Sequence, residues 1–233
     1  MTGIRQRVAA VVLSALLPLA AVAAGQATFD ADSDRVVLFW DDSGKLRIDL
    51  PDEDEGYMIA RDGKMYMVME DDGETMVMEV GGMIAMAADF MDGGDVSLLD
   101  VSLSGLKPTG ARETHAGIEG RVYTGTITES KGKQRAVELV LADHPLANEL
   151  TDTYLRLLET LFGAERARTV SAALPAKERG VLRVDDEMRL ASISGNTPAA
   201  ELFELPAAPS SLADMFKGLA EQMQQLQQLQ QMR

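Results

Sequence analysis

The chain has 233 residues, a formal charge of −15 at neutral pH, two histidines and no cysteine. That length supports one sizeable domain with its own core. The acidity argues against nucleic acid and anionic membrane surfaces as partners. The missing cysteine excludes disulfides, thiolate metal ligands, cysteine nucleophiles and a lipidation cysteine.

Residues 1–24 read as a secretory signal peptide. Arg5 and Arg7 supply the positive start, and residues 8–19 are apolar apart from Ser14 and Pro18. Ala21-Val22-Ala23 or Val22-Ala23-Ala24 then offers small residues for cleavage. The apolar stretch is too short for a comfortable transmembrane helix, and no other run approaches about eighteen apolar residues. The expectation is an exported, periplasmic protein with no membrane span after signal cleavage, stabilised by burial alone.

From Ala27 the chain reads as strands. Residues 36–40 form one, turning at Asp42-Ser43-Gly44, and 45–50 alternate with Leu46, Ile48 and Leu50 on one side. The acidic stretch 51–56 lacks the alternating aspartates and distant glutamate of a calcium loop and reads as a solvated turn.

Residues 57–80 carry the strongest local signal. Asp62-Gly63 and Asp72-Gly73 each sit between alternating apolar residues. Type I′ turns need φ > 0 at both central positions, so these pairs predict two tight hairpins. The first pairs Arg61 with Lys64, Ala60 with Met65 and Met58 with Met67. The second pairs Met69 with Met76 and Met67 with Met78. Side chains alternate along a strand, so Met58, Met65, Met67, Met69, Met76 and Met78 share one face. Tyr57, Ile59, Tyr66, Val68 and Val77 share the other. Two apolar faces require that each be covered or line a cavity.

Gly81-Gly82 ends this meander, and Met83, Met86, Ala87, Phe90 and Met91 follow at helical spacing. The segment 83–91 reads as a helix that either packs permanently on the sheet or moves as a lid over the methionines. Strands resume at 101–106. Residues 108–120 read as a loop holding His115 in a polar, solvated setting. Residues 119–128 and 133–141 form a third hairpin, and His144-Pro145 ends the latter strand. Leu146, Leu150, Tyr154, Leu157, Leu158, Leu161 and Phe162 mark an amphipathic helix stopped by Gly163. A shorter helix follows over 164–174. Strands are expected at 180–184, 187–194 and 200–205, then a linker at 206–209. Ser211 and Asp214 open a terminal amphipathic helix striped by Leu212, Met215, Phe216, Leu219, Met223 and Leu226. Its end is rich in glutamine.

The resulting fold class is mainly β (α+β): a largely antiparallel sheet of roughly nine to eleven strands with helices inserted late. The pattern alone leaves open a closed barrel, a sandwich and a half-barrel on helices. The runs Leu46-Arg47-Ile48, Arg61-Asp62-Gly63-Lys64-Met65-Tyr66 and 109–123 resemble an uncharacterised family of bacterial envelope proteins with the lipoprotein-carrier (LolA/LolB-like) fold. Where such families often carry a cysteine, this chain has Gly120-Arg121-Val122. The resemblance implies an antiparallel half-barrel or incomplete barrel, with helices plugging or covering one face, over residues 25–206. Residues 207–233 then form the terminal helix and tail. Members of the wider fold bind acyl chains of lipoproteins or lipids.

The chemistry inventory is thin. His115 and His144 form no ligand pair, and no nucleophile elbow, phosphate loop or dinucleotide fingerprint is present. The expectation is a non-enzyme with no catalytic residues and no cofactor. The methionines remain, with three readings. They line a cavity for an apolar ligand, with Met58, Met65, Met67, Met69, Met76 and Met78 joined by Met83 and Met86, because thioether side chains adapt to varied shapes. Or Met67, Met69, Met76 and Met78 bind Cu(I) or Ag(I), since thioethers are soft ligands. Or they only fill a core in a structural envelope protein with no small ligand. The partners expected are an apolar ligand, a lipidated protein or another envelope protein.

Overall fold

The computed structural model describes residues 24–31, 34–49, 56–71, 73–81, 101–129 and 132–210. The signal peptide (all but Ala24), the acidic turn at 51–55, the segment 83–91 with Met83 and Met86, and the terminal helix with its glutamine-rich end lie outside them.

Among the described residues eleven strands form one antiparallel sheet in the order β6-β5-β4-β3-β2-β1-β11-β10-β9-β8-β7. The first meander is β1 (Gly25–Ala31), β2 (Asp34–Trp40), β3 (Leu46–Asp49), β4 (Tyr57–Arg61), β5 (Lys64–Asp71) and β6 (Glu74–Glu79). The second is β7 (Val101–His115), β8 (Ile118–Glu129), β9 (Gln134–Ala142), β10 (Gly180–Val184) and β11 (Met188–Ser194). The meanders join where β1 pairs with β11. Among the described residues the sheet does not close on itself, because β6 and β7 are its two edges. The molecule is therefore an incomplete antiparallel barrel with helices on one face.

Local chemistry explains the turns. Asp62 and Gly63 both have positive φ, 53° and 71°, as the two-residue hairpin demands. Between β2 and β3 the Asp41 carboxylate accepts bonds from the Ser43 amide (3.0 Å), the Ser43 hydroxyl (2.8 Å) and the Lys45 amide (2.9 Å). This side-chain cradle holds the reversal while Gly44 supplies φ +87°.

Helix α1 (Pro145–Phe162) lies on one face of the sheet, and α2 (Ala164–Ala173) follows after Gly163. Proline stands at the start of α1, where its missing N–H is not needed. The α1 residues Ala147, Leu150, Leu157 and Leu161 share one core with Ala27, Trp40, Leu46, Met65, Val140 and Leu182 of the sheet. The helix comes close at Gly180, where an added Cβ would lie 2.5 Å from the Cβ of Ala147. On the opposite face, Tyr123, Ile127, Val137, Leu139 and Leu141 pack with Leu174, just past α2.

Two regions differ from the expectation. Residues 108–115 are not a loop but the second half of β7, which runs to His115 before turning at Ala116-Gly117. Pro108 is tolerated because β7 is an edge strand. Gly105 and Gly110, at φ +66° and +91°, accompany two register shifts in its pairing with β8. His115 is consequently not solvated: its side chain is 10% exposed and its Nε2 lies 2.9 Å from Glu113 Oε2.

Residues 200–205 are not a strand. Ala200–Phe203 is a 3-10 turn, with Leu202 N–H donating to Ala199 O and Glu204 N–H to Glu201 O. Its carbonyls are held by arginines of the sheet: Arg61 Nη1 donates to Phe203 O at 2.9 Å, and Arg47 Nη1 reaches Leu202 O at 3.5 Å. The stretch expected as a linker is a strap. Leu205 and Ala207 cover Ile59, Tyr66, Val68 and Val77. Ser210 then bridges to the edge strand β6 in parallel, its N–H donating to Val77 O and its carbonyl accepting from Glu79 N–H.

Candidate functional site

The observed pairing sorts the helix-facing side chains of β2–β6 into transverse rows. In the first row Trp40 stands opposite Leu46, Leu46 opposite Ala60 and Ala60 opposite Met65, with Val80 N–H bonded to Met65 O. All five are buried, with exposures from 0 to 9%. Leu157 and Leu161 of α1 belong to the same core and seal this row.

Two residues further along each strand lies a second row. Leu38 stands opposite Ile48, Ile48 opposite Met58, Met58 opposite Met67 and Met67 opposite Met78. All five are only partly buried, packed against the edge of the core. Beyond it Met69 stands opposite Met76, and Met76 is 42% exposed. The helix therefore covers the first row, and burial falls off along the methionine face toward its rim.

The structure thus brings Met58, Met65, Met67, Met69, Met76 and Met78 to one face in the expected register. Their environments differ. Met65 is 2% exposed and belongs to the sealed core, whereas Met58, Met67, Met69, Met76 and Met78 continue outward as an apolar strip. Leu38 and Ile48 complete that strip and were not singled out from the sequence. The alternation of Leu46 with Ile48 was visible, but the pairing of β3 with β4 across the acidic turn was not.

The back of this strip is held rigidly. Arg47 sits 3.6 Å over the Tyr57 ring and bonds Asp49 at 2.6 Å, anchoring β3 to β4 on the strap side. Arg61 bonds both Asp62 (2.9 Å) and Glu204 (3.1 Å), and these carboxylates raise its pKa further above its ordinary value. On the helix side Tyr154 of α1 packs against the core, where burial pushes its hydroxyl up to about 12. It is neutral at any physiological pH.

Polar chemistry is sparse around the strip. Among the described residues no group of three or more His, Asp or Glu side chains gathers as a metal site. His115 faces Glu113 at the far side of the sheet, and His144 precedes α1 without a side-chain capping bond. No described helix is long and apolar enough to cross a membrane. No known protein family, curated protein or solved structure matches the chain.

Proposed function

We propose that the protein is a carrier-type binding protein that holds an apolar ligand, a lipid or acyl chain, against the methionine strip. One observation carries this reading: α1 seals the first row of β2–β6 but leaves the second row, Leu38-Ile48-Met58-Met67-Met78, half-buried. A sheet built only for packing gains by burying that row fully, at roughly 25 cal/mol per Å² of apolar surface. Methionine in three adjacent strands supplies a polarisable surface that adapts to chains of different shape. The open antiparallel sheet with helices on one face is also the architecture that the lipoprotein-carrier resemblance implies. Export through the signal peptide would place the protein in the periplasm, with a lipid, a lipidated protein or another envelope protein as partner. No step of catalysis is part of this reading.

A second reading rests on the pairs Met67 with Met78 and Met69 with Met76, which set thioethers directly across adjacent strands. Such pairs favour a soft cation, Cu(I) or Ag(I).

Native mass spectrometry on protein purified from the periplasm without detergent separates these. Additional mass that extracts into organic solvent supports the carrier reading. Copper-sized adducts removed by a Cu(I) chelator support the metal reading. An unliganded mass, together with failure to take up added palmitate, overturns the carrier.

A further inference from the structure

A cavity of about 570 Å³ opens beyond the first row, at the hairpin end of the sheet. Its walls are the β2–β3 turn, the β4–β5 turn and one side of α1. Its floor is apolar: Leu46, Ala60 and Leu157 reach it from the sealed core. Lys45, Arg61 and Arg156 border it together with Asp62 and Glu159, and Arg61 turns its guanidinium away to the strap, onto Phe203 O and Glu204. It is distinct from the methionine strip, which lies on the other side of that first row.

The three cations are not equivalent. Lys45 is paired with Asp41 at 3.7 Å, and Arg61 is shared between Asp62 and Glu204. Arg156 is different. Among the described residues its guanidinium makes one hydrogen bond, from Nη2 to the Thr153 hydroxyl at 2.7 Å, and no described carboxylate pairs with it. The guanidinium packs over Gly44, where an added Cβ would come within 3.3 Å of Nε. In a chain of charge −15, a cation set in a concave site without a carboxylate partner is conspicuous.

We infer that this cavity binds an organic monoanion, a carboxylate carrying a short apolar group, with Arg156 as the anchor. A planar guanidinium matches a carboxylate through two parallel N–H donors. The Thr153 hydroxyl holds the fork in place. The apolar part rests on Leu46, Ala60 and Leu157, and in this it follows the usual plan of a small-molecule site with few polar groups over an apolar floor. Asp62 and Glu159 also line the cavity, and their charges select against dianions such as inorganic phosphate. The inference does not depend on the methionine strip holding a ligand.

The test uses the intact protein and its single tryptophan. Trp40 is fully buried and pairs with Leu46 on the cavity floor, so its emission reports occupancy. Hexanoate is expected to saturate, whereas hexan-1-ol and inorganic phosphate do not. Affinity for hexanoate should fall at least tenfold in Arg156→Gln, be partly retained in Arg156→Lys and weaken with added salt. Arg156 is exposed on α1, and circular dichroism checks that the variant is folded. Backbone amide shifts of Gly44 and Gly63 give a second readout. Among acids whose binding falls in Arg156→Gln, hexanoate alone indicates a free short-chain acid, and tighter binding of palmitate indicates the carboxylate of a lipid. Equal binding of hexanol, unchanged binding in Arg156→Gln, or no saturation in either readout overturns the proposal.

Discussion

Arg183 on β10 grips Glu113 on β7 through two bonds, Nε to Oε2 at 3.0 Å and Nη2 to Oε1 at 3.1 Å. Three strand spacings separate β7 from β10 in the sheet order, about 14 Å if the sheet were flat. Two side chains cannot meet comfortably across that distance, so the sheet curls here toward its helix-bearing face. Gly120 stands inside the curl, where an added Cβ would meet Val140 at 2.7 Å and Leu182 at 3.0 Å. Arg183 also bonds Glu138 and the Asp185 carbonyl, and it is 8% exposed. Replacing it with methionine removes the clasp and leaves Glu113 and Glu138 facing each other. Both carboxylates are more than a third exposed and stay partly solvated, so the expected loss is about 1–2 kcal/mol, measured by urea unfolding.

The clasp also makes stability depend on pH. The bond from the His115 ring, and then the Arg183 guanidinium, hold the Glu113 carboxyl below its ordinary 4.5, against the opposing effect of burial. A carboxyl depressed in the folded state stabilises the fold above its unfolded value and loses that contribution as pH falls through the folded value. The stability difference between wild type and Glu113→Gln should therefore be full at neutral pH. It should shrink below about pH 4.5. A difference that persists unchanged at pH 2 would contradict the assignment.

The methionine strip separates ligand classes. In the double variant Met67→Leu, Met78→Leu, volume is nearly conserved, so stability should change by less than about 1.5 kcal/mol per site. Acyl binding is expected to survive, because leucine remains apolar. Cu(I) binding is expected to vanish, because two thioethers are gone. Isothermal titration of the variant with Cu(I) and with palmitate reads both, and retained copper affinity would remove the metal reading.

The fall in burial along the strip has its own signature. Met65 is 2% exposed and Met76 is 42% exposed on the same face. Met65→Ala should cost roughly 2–5 kcal/mol through the cavity it leaves. Met76→Ala should change stability by no more than about 0.5 kcal/mol. Chemical denaturation of the two variants compares them directly.

The seat of α1 depends on a missing side chain. Gly180 allows Ala147 to approach β10, and a valine there would overlap both the Ala147 Cβ and its backbone carbon. Gly180→Val should lift the helix from the sheet and cost roughly 1–3 kcal/mol. Amide exchange should quicken around Ala147 and Leu150 well before it does in β2 or β3.

Much of the first meander is legible because its information is local. The Asp-Gly pairs set both turns, and two-residue loops leave one register, so Met58 opposite Met67 and Met67 opposite Met78 follow directly. The apolar period of α1 and its stop at Gly163 are local too. What failed was non-local. Pro108, Gly105 and Gly110 look like loop chemistry, and only an edge position with bulges makes them strand residues. Residues 200–203 have strand-like apolar character, but their carbonyls are taken by Arg47 and Arg61 from more than a hundred residues away. The Arg156 cavity needs the helix placed over two distant turns, which no spacing in the sequence announces.

The first strand occupies the middle of the sheet, between β2 and the last strand, β11. Gln26 pairs with Ser194 at one end and Ala31 with Met188 at the other. More than 150 residues of sequence separate these partners, on the order of the whole domain. The β1–β6 meander pairs only sequence neighbours, but one edge of β1 stays unsatisfied until β11, near the end of the described chain, docks on it. Before that, the chain carries an open hydrogen-bonding edge that includes Ala27 and Phe29, the kind of surface that recruits chaperones or mispairs. Closure of that seam joins segments of high sequence separation, the kind of contact that slows folding.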